Sequence, residues 1–412
     1  RLTVDSFGNA YVTWMDDKLI EGSYDISIQK ISSDGSLLLD ANNSDICNSS
    51  NRQENPIIRS DGNGGAFIIW GDSRVGSIGI YSQHISQDGN ISFFDNGVET
   101  FWGIDGNTVS SYANKPSSKY LGNNEAVISW PDQRFGQELK NYGQKVYNGW
   151  NNFQDSNGYL LSDAQAQDYP VLENTANNLI HVFPDISGEI KLKYQILDFD
   201  LDITGNDSGN LVNPSSSSPH FYNSFDVEST DEGNYLIAFS ELEFFAAYNI
   251  FIQKFDSAGN SQFSNPIGII QNFSADENVK AIHNINGQGL IVIYDSESFL
   301  TGRKVKAIAI DYNGNVLPGW EEGINICNYN SDQTFQASVK ADNSVFILWN
   351  DDRGDGDDIY GQVLDINGIS STETDGFGLA AYESYQQKPT ITYNEVKSEV
   401  LVCWQDYIQN SY

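Results

Sequence analysis

Eight short apolar runs, each closed by a large aromatic residue, recur along this chain at nearly even steps. The clearest are Asn9 to Trp14, Gly65 to Trp70, Glu125 to Trp130, Ser344 to Trp349 and Glu399 to Trp404; weaker copies are Asn178 to Phe183, Asn234 to Phe239 and Gly289 to Tyr294. From aromatic to aromatic the steps are 56, 60, 53, 56, 55, 55 and 55 residues. A period of that length is the mark of an array in which one supersecondary unit is repeated and each copy buries its apolar face against the next.

Other residues keep phase with the aromatic. An acid follows two residues later in seven copies, at Asp16, Asp72, Asp132, Asp185, Glu241, Asp351 and Asp406; in the eighth, Asp295 comes one residue early. A base follows the acid at Lys18, Arg74, Arg134 and Arg353. A second, alternating run then carries a glutamine, as in Ile80-Tyr-Ser-Gln83 and Ile359-Tyr-Gly-Gln362, and ends in a turn with glycine, such as Gln87-Asp-Gly89 or Asp365-Ile-Asn-Gly368. Those are hairpin signals between strands. Proline opens a further strand at Pro56, Pro116, Pro170 and Pro389, a position that loses no ladder donor.

Each unit therefore reads as four antiparallel strands, and the array as an all-β propeller. The second strand, almost wholly apolar, is expected between neighbouring blades; the third alternates and is expected to be partly exposed. Eight blades are favoured over seven, in one propeller domain spanning 1–412. Its repeats run at about 1–55, 56–115, 116–169, 170–219, 220–279, 280–339, 340–388 and an incomplete 389–412. The pattern is already under way at residue 1 and is cut at 412, so the polypeptide is expected to extend further at both ends.

Lys and Arg number 22 against 56 Asp and Glu, a formal charge of 22 − 56 = −34. Such a surface repels nucleic acid and anionic headgroups, so no nucleic acid is expected among the partners. No apolar run reaches the length of a transmembrane segment. Cys47 and Cys327 hold matching places in different repeats, too far apart for a disulfide, and Cys403 is expected in the core.

The phased Trp-x-Asp-x-Arg element, carried by Trp14, Asp16, Trp70, Asp72, Arg74, Trp130, Asp132, Arg134, Trp349, Asp351, Arg353, Trp404 and Asp406, reads as a structural motif. Catalysis needs unlike residues converging once, whereas these recur, so no catalytic residue is assigned. His181, on an apolar strand, reads as a satisfied core residue. The acidic loop 351–358 supplies one metal candidate, calcium on Asp355, Asp357 and Asp358, because hard oxygen ligands on a flexible turn suit that ion; no other cofactor is expected. Repeat 5 replaces its loop with an aromatic stretch, and Phe244, Phe245 and Tyr248 are the candidate contact residues.

The succession of proline, Trp-x-Asp-x-Arg, Ile-Tyr-x-Gln and an Asp-Gly or Asn-Gly hairpin, best seen over Pro56 to Gly89, Pro116 to Gln144 and Trp349 to Gly368, resembles the propeller repeats of secreted Bacteroidota proteins. Many of those end in a sorting domain for the type IX secretion system. The resemblance implies an extracellular or cell-surface location, often as an adhesin or accessory protein. The expectation is thus a non-enzymatic binding or scaffold module for a protein or glycan partner, for example a subunit of a larger outer-membrane-associated secretion or gliding assembly. The alternative is a carbohydrate-active enzyme, a glycoside hydrolase or lyase, which would need paired carboxyls.

Overall fold

A computed structural model describes residues 1–16, 24–40, 45–74, 76, 78–101, 116–132, 138–147, 158–165, 170–214, 222–243, 247–354, 358–369, 373–380 and 385–407. All regular structure among them is β, in eight antiparallel sheets, the blades of an eight-bladed propeller. The chain divides into two compact units, Arg1–Leu211 and Val212–Tyr412, with four blades in each.

In the first unit every blade is a simple meander of four strands. Blade 2 shows why. Its second strand, Ala66–Asp72, is apolar up to its last two residues and wholly buried, as is Leu179–Asp185 of blade 4. Burying one such aliphatic or aromatic side chain contributes roughly 1.5–3 kcal/mol. Blade 2's third strand, Gly79–Ile85, is also fully buried, against the expectation of partial exposure. Its polar residues find partners inside the blade. The Gln83 amide donates to the Phe94 carbonyl at 2.9 Å, while its carbonyl oxygen accepts from the His84 and Phe93 amides at 2.9 and 3.0 Å. The phased glutamine is therefore a clamp that fixes the hairpin leading to the fourth strand; Gln29 and Gln362 do the same in blades 1 and 7.

In the second unit, blades 5 and 6 are again four-stranded. Blade 7 has its outer strand in two pieces, Gly368–Ile369 and Phe377–Ala380, and the strands of blade 8 among the described residues are Tyr385–Asn394 and Glu399–Tyr407, paired with each other.

A second phased residue escapes a reading that looks for polar and aromatic signals. Gly97 and Gly376 open the outer strands of blades 2 and 7 with φ of 79° and 77°. A Cβ there would lie 2.4 Å from the Trp70 ring and 2.3 Å from the Trp349 ring. At Gly158, Gly209 and Gly323 a Cβ would lie 2.9, 2.9 and 2.2 Å from Trp130, Phe183 and Tyr294 of their own blades. Gly376→Ala is expected to lower stability by about 2 kcal/mol or more, since strain at positive φ adds to overpacking; a midpoint within error of wild type in denaturant titration would refute the contact.

Candidate active site

The Trp-x-Asp-x-Arg element is a clasp. In blade 2 the Trp70 indole donates to Asp72 Oδ2 at 2.9 Å and the Arg74 guanidinium to the same oxygen at 2.6 Å, while the Arg74 amide donates to Oδ1 at 2.9 Å. The guanidinium lies over the Tyr81 ring at 4.0 Å and donates to Cys47 Sγ, in the outer strand of blade 1, at 3.1 Å. Blade 7 repeats this atom for atom with Trp349, Asp351, Arg353 and Tyr360, the thiol being Cys327 of blade 6. All three cysteines are free; Cys403 is only half-buried. Blade 4, which lacks the arginine, pairs Asp185 with Lys193 of its third strand at 2.8 Å.

Not every copy is wedged in this way. Trp14 and Trp404 are 37% and 40% exposed. Trp14 faces Ser27 across the strand pair where Trp70 faces Tyr81, and blade 8 has no described third strand to set a ring against Trp404. Asp16 is half-buried, Asp132 buried, and Asp406 accepts from the Gln386 amide at 3.4 Å. Trp130 is buried, and Arg134 lies outside the described residues.

The other candidates are dispersed. Phe244 and Phe245 lie outside the described residues; Tyr248 is half-buried in the strand Ala247–Phe255, its amide bonded to Asp276 Oδ1 at 3.1 Å. Asp355 and Asp357 also lie outside them, and Asp358 is buried at the start of Asp358–Asp365. Among the described residues no three His, Cys, Asp or Glu side chains are placed to hold a metal ion. His181 is buried, yet neither ring nitrogen has a partner among the described residues, nor does the side-chain amide of Gln195 directly across the strand pair. It is a core residue.

Blade 6, where the motif breaks, is different in kind. The strand register sets Asp295 at the place held by Met15, Gly71, Pro131, Pro184, Ser240, Asn350 and Gln405 in the other blades. It is the one carboxylate at that position. Asp295 is 4% exposed and burial pushes its carboxyl above the usual carboxylate range, against the pull of Lys280 and Arg303. Its Oδ2 lies 3.3 Å from the Lys280 ammonium, which reaches solvent, and its Oδ1 accepts from the Phe335 amide of blade 7 at 3.4 Å. Asp295 thus sits where Ser240 of blade 5 accepts the Val279 amide: these side chains catch the backbone donors that the bulges in the next blade's first strand leave free.

A second unrepeated acid, Glu277, faces Ser296, where blades 2, 7 and 8 pair Gln53, Gln333 and Gln386 with the phased aspartate. It is 1% exposed. Burial raises its pKa; Ser296 and Asn272 donate to Oε1 at 3.0 and 3.1 Å, while Oε2 has no partner among the described residues. Because Asp295 and Ser296 are consecutive, they point to opposite faces of the sheet. The two acids of blade 6 therefore do not flank one bond. The chemistry this pair offers is proton transfer: burial raises the pKa of the Asp295 carboxyl, and the Lys280 ammonium 3.3 Å from it reaches solvent.

The class these sheets define is the β-propeller. No family model matches the sequence, and no curated protein does. Among solved structures the chain is similar to puromycin hydrolase, with a TM-score of 0.51 at 9% identity over 95% of this chain and 56% of that one. It is also similar to a PL25 ulvan lyase, with a TM-score of 0.49 at 9% identity over 89% and 92%. A third is an endo-arabinase from Bacteroides thetaiotaomicron, at 0.36 and 13% over 66% and 99%. The chain spans a little over half the length of puromycin hydrolase. Identities this low speak for the fold alone.

Two expectations, that the chain is a non-enzymatic binding or scaffold module and that it is no enzyme, run against this comparison and are withdrawn: the structure it matches with a TM-score of 0.51 is described as a hydrolase. The physical fault lay in reading the recurrence of acids as the absence of a catalytic one. Recurrence describes the clasp; it says nothing of Asp295, which does not recur. Among the described residues no helix is long and apolar enough to cross a membrane.

Proposed function

We propose that this chain is a carbohydrate-active enzyme in which Asp295 is the general acid and Lys280 its charge-setting neighbour. The observation that carries the reading is a buried carboxyl in contact with a solvent-reaching ammonium, at a position neutral in every other blade. Protonation of the departing glycosidic oxygen by such a group is a step that glycoside hydrolysis requires, and elimination from a uronide also needs its leaving oxygen protonated. The descriptions of the lyase and the endo-arabinase among structures of the same fold are in keeping with it. Export to the cell surface, which the likeness of the repeats to secreted Bacteroidota propellers implies, accords with an enzyme that meets polysaccharide outside the cell.

The test is a panel of soluble polysaccharides followed by reducing-end release and by the ultraviolet absorbance of unsaturated products. Asp295→Asn is expected to lower kcat by about 10²–10⁴-fold, the range for a lost general acid, with the melting temperature held. The pH dependence has a definite sign. A general acid works protonated, so the rate falls as pH rises through its pKa, and here that limb lies above the ordinary carboxylate range. Full activity in Asp295→Asn would overturn the assignment, and no turnover of any glycan by the wild type would overturn the enzyme class.

A further inference from the structure

The hairpin that carries Asp295 does not stop where those of blades 2 and 7 stop. There, pairing of the second and third strands ends at the phased aspartate, Asp72 with Gly79 and Asp351 with Asp358. In blade 6 it runs two pairs further, through Glu297 with Arg303 to Ser298 with Gly302. The turn so raised is braced. Ser298 and Thr301 share a hydrogen bond of 2.7 Å between their hydroxyls, and the Thr301 amide donates to Ser298 Oγ at 3.1 Å. The Arg303 guanidinium pairs with Glu297 at 2.9 Å across the hairpin, and the Arg303 amide is anchored on Asp332 Oδ1 at 3.1 Å.

What this turn displays is Phe299 and Leu300, 103% and 90% exposed, with no described residue covering either. Turn tips are ordinarily polar, and a single exposed apolar side chain needs no explanation. A consecutive phenylalanine and leucine, naked at the tip of a braced hairpin, do nothing for folding, because nothing is removed from water. An aromatic side chain has only two rotatable bonds to freeze on binding, and the braced turn has little left to lose, which favours the ring as a contact surface.

We infer that Phe299 is a glycan-binding platform, its ring stacking on the apolar C–H face of a pyranose a short distance along the chain from the residue cleaved. The inference rests on the proposed enzyme reading and extends it to substrate length. Four residue steps lead from Asp295 to Phe299, roughly 13 Å at 3.3 Å per residue, a span of a few sugar rings. The ligand is therefore a polymer or long oligosaccharide rather than a single glycoside. A partner protein or a second copy of the chain on the same tip would give a different outcome below.

The experiment uses the whole chain, as wild type, Phe299→Ala and Phe299→Trp. Each is run through native gels cast with arabinan, mixed-linkage β-glucan or polygalacturonate, and assayed on any polymer the wild type cleaves and on the matching chromogenic monoglycoside. Retardation of the wild type in one gel, lost in Phe299→Ala and restored in Phe299→Trp, is the expected result. With it goes a rise in KM on the polymer of about tenfold, the loss of one aromatic contact, at unchanged kcat and with no change on the monoglycoside. Equal retardation of all three proteins would overturn the platform and leave the enzyme reading standing, as would cleavage without retardation of the wild type in any gel. A wild-type dimer in sedimentation velocity that Phe299→Ala dissolves would equally overturn it, assigning the tip to self-association.

Discussion

Asp351→Ala is expected to remove about 3–5 kcal/mol of stability, the range for breaking one partner out of a buried ion pair. Asp351 is fully buried and accepts from the Trp349 indole at 2.9 Å, the Arg353 guanidinium at 2.5 Å and the Arg353 amide at 3.0 Å. Burial alone would raise its pKa, but the bonds from Arg353 and Trp349 prevail and hold it below the usual range. Alanine leaves an indole N–H and a guanidinium without their acceptor, and no water reaches the indole. In a unit of this size the loss moves the melting midpoint by about 10 °C. The pair Asp351→Ala with Arg353→Met should recover much of it, since the uncompensated charge is then gone. Protonation acts like the alanine: a carboxyl whose folded pKa is depressed contributes stability that is present at neutral pH and lost as pH falls through that depressed pKa. A single mutant within about 1 kcal/mol of wild type in denaturant titration would reduce the clasp to a surface ion pair.

His181→Ile, by contrast, is expected to stabilise the first unit. The same register position holds Val12, Ile68, Ile128, Ile237, Val292 and Ile347 in other blades. His181 brings two ring nitrogens into that layer with no partner among the described residues, its ring stacked on that of Phe183 at 5.1 Å. Removing an unsatisfied buried polar group is worth about 1–3 kcal/mol at neutral pH. Acid enlarges the difference. Burial pushes the imidazole down to about 3 from an ordinary 6.5. Between those values the unfolded chain binds a proton that the folded chain refuses, so wild-type stability falls as pH drops from 6.5 towards 3. His283 in the second unit, pushed down to about 4 by burial and by Lys340, contributes a loss of the same sign there and survives the substitution. Urea midpoints of the first unit's transition at pH 7 and pH 4.5 distinguish the cases; a variant weaker than wild type at both would mean that the ring nitrogens are bonded to ordered water.

The aromatic period and the residues in phase with it were enough to expect strands, their order within a blade and the number of blades. Trp70, Trp349, Asp72, Asp351, Arg74 and Arg353 were legible as a motif because each acts locally, two residues from the next. The glycines under the rings were equally periodic: Gly97 and Gly376 both stand 27 residues after their tryptophan. They went unread because a glycine's role lies in what it leaves room for. Asp295 was visible as an acid one residue out of phase, but its meaning was hidden. In a strand a shift by one position moves the side chain to the other face of the sheet, and no periodicity states what waits there. Phe299 was one phenylalanine among 22.

The sequence by itself determined that this chain is a repeated β-unit with an aromatic, an acid and a glutamine at set places, because strand alternation and turn chemistry act over a handful of neighbouring residues. Only the tertiary structure decided that Cys47 meets Arg74, that Lys280 meets Asp295 and that Phe299 stands uncovered. Those contacts and that exposure depend on the register between strands and between blades, which is set by cooperative packing of residues tens of positions apart and not by any short stretch of chain.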